Sequence, residues 1–191
     1  MSILQTVHMR NLLLLVGFVA IIVGAIGLSQ WLSTSPSAVA LIEQFGYFGL
    51  VLLGTIGGLN FIIPIPPATF SALYSAAGLS TMGIIAALAA GTLIADSIGF
   101  WFGTRAAVLL ERKYERIATY AKKLAAKGSL FIIPFVALYA ALVPFPNEAI
   151  LIPLALTGIR FRFLIIPLLL GNILHQTILV IGIDALVGFL F

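Results

Sequence analysis

The sequence predicts an all-α, polytopic membrane protein built on an inverted repeat, each copy a re-entrant helical hairpin followed by one transmembrane helix. Charged residues make up 8% of the chain and hydrophobic ones 62%, with a mean hydropathy of +1.21, whereas a soluble domain carries roughly 25% charge. Apolar stretches at 12–32, 83–104 and 163–190 each reach the ~20 residues that cross a ~30 Å hydrocarbon layer. Two further apolar runs are broken by prolines, FIIPIPPATF at 61–70 and VPFPNEAILIP at 143–153. Proline frees backbone carbonyls that hydrocarbon, lacking water, does not satisfy.

Residues 1–45 read as an N-terminal transmembrane anchor and a short interfacial segment. Ala38-Val39-Ala40 resembles a signal cleavage site, but the preceding apolar run exceeds the 7–15 residues of a signal core and the site lies far downstream, so the anchor is expected to be retained. Residues 46–191 form the membrane domain: a first repeat at about 46–105, a basic cytoplasmic segment at 105–128, and a second repeat at about 129–191. Sliding the chain by 80 positions puts Pro64 on Pro144, Pro66 on Pro146, Gly78 on Gly158 and Gly91 on Gly171, with Thr92 on Asn172 and Asp96 on Gln176. A Pro-x-Pro frame followed by two glycines in register is the signature of a duplication. Each copy then holds two apolar arms around the break, 46–63 and 67–79 in the first, both short for a tilted span. Such a pair reads as a hairpin that dips in and returns to its own side.

Charge placement supports the same path. With Arg10 cytoplasmic, all ten basic residues, including the run from Arg105 to Lys127 and the pair Arg160 and Arg162, fall on one side of the membrane, as the positive-inside rule requires. This predicts an integral membrane protein with a cytoplasmic N-terminus. The pI of about 9.7 is explained by topology and does not point to nucleic acid. Inverted repeats with broken helices belong to transporters, whose sites lie near the midplane where the breaks meet. Irregular backbone is tolerated at that depth only beside protein or a water-filled cavity, so Asn60, Pro64, Pro66, Pro144, Pro146 and Asn147 are expected to line a path, together with the membrane-depth polar residues Asp96, Glu148 and His175. The alternative is a bundle of two proline-kinked helices.

Glu148 follows the second break, and a carboxylate at membrane depth costs roughly 2.5–3.5 kcal/mol on insertion scales. It is expected either to cap the second arm at its first turn, where the helix dipole favours it, or to face the cavity. Asp96 stands beside a ridge of small residues, Ala87, Gly91, Ala95, Gly99 and Gly103, which lets another backbone approach. It is expected to face protein, through a structural interhelical bond or a proton-exchanging pair with His175. The segment ERKYERIATYAKKLAAKG at 111–128 reads as a basic interfacial helix suited to anionic lipid. No serine sits in a glycine elbow and no ligand cluster has metal spacing, so no enzyme, catalytic residue, metal or cofactor is expected. The chain has no cysteine, which excludes disulfides and thiolate chemistry and leaves the redox compartment unread.

GTLIADSIGFWFGTRAA at 91–107 resembles the glycine-rich helix of the DedA family, also called the VTT-domain or SNARE-associated Golgi protein family. PIPPATF and VPFPNEA resemble its two re-entrant motifs. The resemblance spans 46–191 and lies in the order of the motifs. It implies a lipid transporter or scramblase-like protein, with membrane lipids, including anionic or polyprenyl phosphate lipids, as partners, protons as a coupling ion, and the oligomeric state open. Arg105, Arg160 and Arg162 would meet a phosphate headgroup near the cytoplasmic entrance. The chain departs from the family pattern in four places: Ala95 replaces a usual glycine, Thr104 puts Arg105 one residue late, the first break carries Asn60 where proton-coupled members carry an acid, and the second break holds Glu148 but no arginine. An ion-coupled small-solute exporter on the same scaffold, or a non-transporting membrane assembly factor, is the alternative.

Overall fold

The computed structural model describes residues 3–59, 66–110, 119, 123, 128–143 and 146–190. Asn60, Pro64, Pro144 and, apart from Thr119 and Lys123, the basic segment 111–127 lie outside the described residues. All regular structure among the described residues is helical: α1 (Ile3–Ser33), α2 (Pro36–Gly58), α3 (Ser71–Ala76), α4 (Thr81–Leu110), α5 (Ser129–Leu142), α6 (Glu148–Ala155) and α7 (Ile165–Leu190), with short 3-10 turns at Pro67–Phe70 and Phe161–Phe163. Three stretches, Pro36–Gly58, Thr81–Arg105 and Ile165–Phe189, are long and apolar enough to cross a membrane, which makes this an integral membrane protein. Large apolar side chains such as Trp31, Phe48, Ile166 and Phe189 point outward, as a lipid-facing surface allows.

The expected spans at 83–104 and 163–190 are covered by α4 and α7. The first arm differs from expectation: α2 begins at Pro36, a residue pre-set for a helix start, and takes in 36–45. It bends at Gly46, whose φ of 53° and ψ of −143° are open to glycine but strained for any other residue. Beyond the bend, 47–58 rises only roughly 18 Å, and α5 roughly 21 Å, at 1.5 Å per residue. Both fall short of a ~30 Å hydrocarbon layer.

Paired residues give the directions. Tyr47 lies on Gly83, Gly54 on Leu88 and Gly91, and Gly58 on Thr92 and Ala95, so α2 and α4 run the same way. In the second half Ile132 shares a groove with Leu164, Gly171 lies on Ala137 and Ala140, and His175 Nδ1 donates to the Ala141 carbonyl at 3.2 Å, so α5 and α7 are parallel too. Two parallel neighbours in sequence need a return between them. The 3-10 turn with α3 makes it in the first half and α6 in the second, each ending on a left-handed glycine, Gly78 (φ 73°) and Gly158 (φ 77°). Between the halves, Gln176 meets Thr92 and Asn172 meets Asp96, so α4 and α7 run in opposite directions.

Each half has its own core. Ile26, Leu50, Tyr74, Ile84, Leu88 and Val180 pack in one, and Phe100, Val136, Leu151, Leu154, Leu164 and Leu168 in the other, with α4 and α7 contributing to both. At the Gly78 turn the Tyr47 hydroxyl accepts from the Ser80 backbone N–H at 3.0 Å and lies 3.1 Å from Ser80 Oγ. Tyr47→Phe is expected to lower the unfolding midpoint in detergent slightly, since water competes for these exposed bonds. An unchanged midpoint would assign the hold on the turn to the ring alone.

Candidate functional site

Along α4, Thr92 and Asp96 are one turn apart and face α7. Along α7, Asn172 and Gln176 have the same spacing and face α4. Asn172 Nδ2 donates to Asp96 Oδ2 at 2.8 Å, and Gln176 Nε2 donates to Thr92 Oγ1 at 3.3 Å. The 80-residue shift equates Thr92 with Asn172 and Asp96 with Gln176. The crossing is therefore reciprocal: the first position of each helix meets the second position of the other, the pattern of a two-fold contact.

The second chain break adds a third amide. Asn147 precedes α6 and donates through Nδ2 to Asp96 Oδ2 at 3.2 Å and to Asn172 Oδ1 at 3.1 Å. Asp96, only 1% exposed, thus accepts from two amides, one from the break and one from α7. The Thr92 hydroxyl turns back to the Leu88 carbonyl at 2.9 Å, leaving its oxygen free to accept from Gln176. The Gln176 carbonyl oxygen has no partner among the described residues. A buried acceptor of that kind costs about 1–3 kcal/mol.

A cavity of about 80 Å3 lies beside this crossing, lined by Gly57, Gly58, Pro66, Pro67, Thr92, Ala140, Val143, Asn147, Asn172, His175, Gln176 and Leu179. Its walls come from the flanks of both breaks and from the two long helices. Such a volume, walled partly by polar side chains, has room for several ordered waters. Of the described residues expected to line a path, Pro66, Asn147 and His175 do so, Pro146 and Glu148 are not on the cavity walls, and Asp96 stands behind Asn147 and Asn172. The pairing of Asp96 with His175 does not form. Positions 172 and 176 fall on the stripe facing α4, and His175, one residue off that stripe, turns to the Ala141 carbonyl of α5.

Glu148 opens α6 and is 2% exposed. It makes no capping bond, and neither carboxylate oxygen has a partner among the described residues. Its methylenes lie against Gly99 of α4, where an added Cβ would come within 2.7 Å of Glu148 Cγ. The glycine ridge of α4 therefore serves two neighbours: Gly91 admits α2, while Gly99 and Gly103 admit α6. Arg105, Arg160 and Arg162 are all exposed and gather at one end of the molecule, because Phe100 of α4 stacks near Phe161 with centroids 5.1 Å apart.

Asn172, Gln176 and Thr92 carry as much of the site as Asp96 does. Their coincidence in the 80-residue register was the signal for them. Ser71, whose hydroxyl donates to the Asp184 carboxylate at 2.7 Å, gave no such signal. Among the described residues no cluster of three metal-ligating side chains forms. No protein-family model, no curated protein and no solved structure matches this chain.

Proposed function

We propose that the chain is an inverted-repeat membrane transporter of the DedA-like type that moves a lipid or lipid-linked anion across the bilayer. The reciprocal crossing of Asp96 with Asn172 and Thr92 with Gln176 carries this reading. Two oppositely directed halves joined by a polar pair at their common axis, beside two chain breaks, form the arrangement in which one half rocks against the other around a central site. Parallel α2 and α4, and parallel α5 and α7, support re-entrant hairpins, since each return segment is too short to span.

In this reading the breaks line the path, and Asp96, Asn147 and Asn172 hold the halves in register while the cavity is closed. A cavity of about 80 Å3 is smaller than a lipid headgroup, so in this reading a headgroup enters only once the halves move apart. Arg105, Arg160 and Arg162 form the phosphate-attracting entrance, on the side that the positive-inside rule assigns to the cytoplasm. The small cavity favours one second reading on the same scaffold, an ion-coupled exporter of a small solute.

The test is translocation of headgroup-labelled phospholipid in liposomes holding the purified protein, with a pH gradient on or off. Translocation well above empty liposomes, lost in Asp96→Asn, is the expected result. A rate equal to that of empty liposomes under both conditions, for ordinary phospholipid and polyprenyl phosphate alike, would sink the lipid reading and favour the exporter.

A further inference from the structure

The two halves differ at one place where their symmetry predicts the same packing. Gly91 and Gly171 occupy equivalent positions on α4 and α7. Gly91 meets Val51, Gly54 and Thr55, and Gly171 meets Ala137, Ala140 and Ala141. The first arms therefore correspond with a shift of 86, six more than the rest of the repeat. On that correspondence Tyr47 falls on Ile133, while Gly83 falls on Phe163 with the shift of 80.

In the first half the Tyr47 ring covers Gly83 and is tied to Ser80 by its hydroxyl. Among the described residues no ring takes the place of Tyr47 at Ile133 in the second half. A groove of about 520 Å3 remains there, walled by Ile132, Ile133, Gly158, Ile159, Phe163 and Leu164, with Thr157 at its edge. Its volume lies within the roughly 300–1,000 Å3 of ligand pockets. The Arg162 guanidinium lies 4.8 Å from the centroid of the Phe163 ring that forms one wall, and exposed Arg160 directly follows the wall residue Ile159.

We propose that this groove is a resident lipid site, holding one acyl chain of an anionic phospholipid whose phosphate is met by Arg160 and Arg162. An apolar slot open at a protein surface inside a bilayer is filled by the solvent present there, which is lipid. The Arg162 guanidinium over the Phe163 wall, with exposed Arg160 two residues before it, favours a phosphate that carries net negative charge. The site needs only that the protein is embedded in a bilayer and does not depend on transport.

Liposomes containing the full-length chain and a phosphatidylglycerol with a photoreactive acyl chain provide the test, with the matching phosphatidylcholine as control. Labelling of the wild type should concentrate on 132–133 and 157–164, with phosphatidylglycerol favoured at least fivefold. Ile133→Tyr combined with Phe163→Gly rebuilds the first-half packing and should cut that labelling at least tenfold. Arg160→Gln with Arg162→Gln should remove the headgroup preference and leave labelling by both lipids. Label spread evenly over the exposed faces of α1, α2 and α7 in the wild type would overturn the proposal without any variant. So would unchanged labelling in a folded Ile133→Tyr/Phe163→Gly protein. Groove labelling by a protein that translocates no lipid would uphold the site and count against the transport reading alone.

Discussion

Gly91→Val is expected to prevent α2 from seating on α4 and to cost about 3 kcal/mol or more. A Cβ at Gly91 would strike the Val51 carbonyl oxygen and come within 2.7 Å of the Thr55 nitrogen and 2.8 Å of the Gly54 carbonyl carbon. All three are backbone atoms of the neighbouring helix, so no side chain can swing aside. Overpacking a core usually costs 1–3 kcal/mol when side chains give way, and a clash with backbone lies at or beyond that range. In lipid there is little hydrophobic force to hold helices together once close approach is lost. Purified Gly91→Val should therefore give little monodisperse protein in detergent, or a markedly lowered unfolding midpoint. Gly182→Ala, where an added Cβ meets nothing within 4 Å, is the matched control and should behave as wild type. A Gly91→Val protein with the wild-type midpoint would refute the parallel packing of α2 on α4.

The same close approach explains what could be read from the sequence. The glycines that the 80-residue shift puts in register hold equivalent places in the two halves, positions where backbone geometry favours glycine, while Pro64 and Pro144 of the same frame lie outside the described residues. Gly78 and Gly158 end the return segments with positive φ, and Gly91 and Gly171 admit the arms. The facing of Asp96 toward protein was legible for a similar reason, since it adjoins a ridge of small residues. Its partner was not. α7 is apolar on every side, so nothing in its polarity distinguished the stripe of Asn172 and Gln176 from the neighbouring His175. The Tyr47 latch escaped as well, because Ser80 lies 33 residues away and an ungapped shift of 80 conceals the six-residue offset between the arms. The residues set by backbone geometry stand in register between the halves, while the side chains that fill the space between elements do not.

The largest functional effect is expected at the two buried carboxylates, which should respond with opposite signs of stability. Asp96 accepts from Asn147 and Asn172. Asp96→Leu would take the acceptor from the buried Asn172 amide and one of the two acceptors from Asn147, which keeps Asn172 Oδ1, at about 1–3 kcal/mol for the group stranded. Glu148 is as deeply buried, yet its oxygens have no partner among the described residues. Removing it with an unbranched apolar side chain of similar length should relieve a desolvation cost at no loss of contacts. Glu148→Met is therefore expected to raise the unfolding midpoint by the equivalent of about 1–3 kcal/mol while reducing translocation at least tenfold. A carboxylate that weakens the fold and is needed for movement is what a transporter holds in its closed state for use in another. Thermal unfolding in detergent and translocation in liposomes, measured on the same preparations, separate the possibilities. Glu148→Met that unfolds earlier than wild type would make Glu148 a structural member of α6. Glu148→Met that is more stable and still translocates would remove it from the path and leave Asp96 with its two amides as the centre of the site.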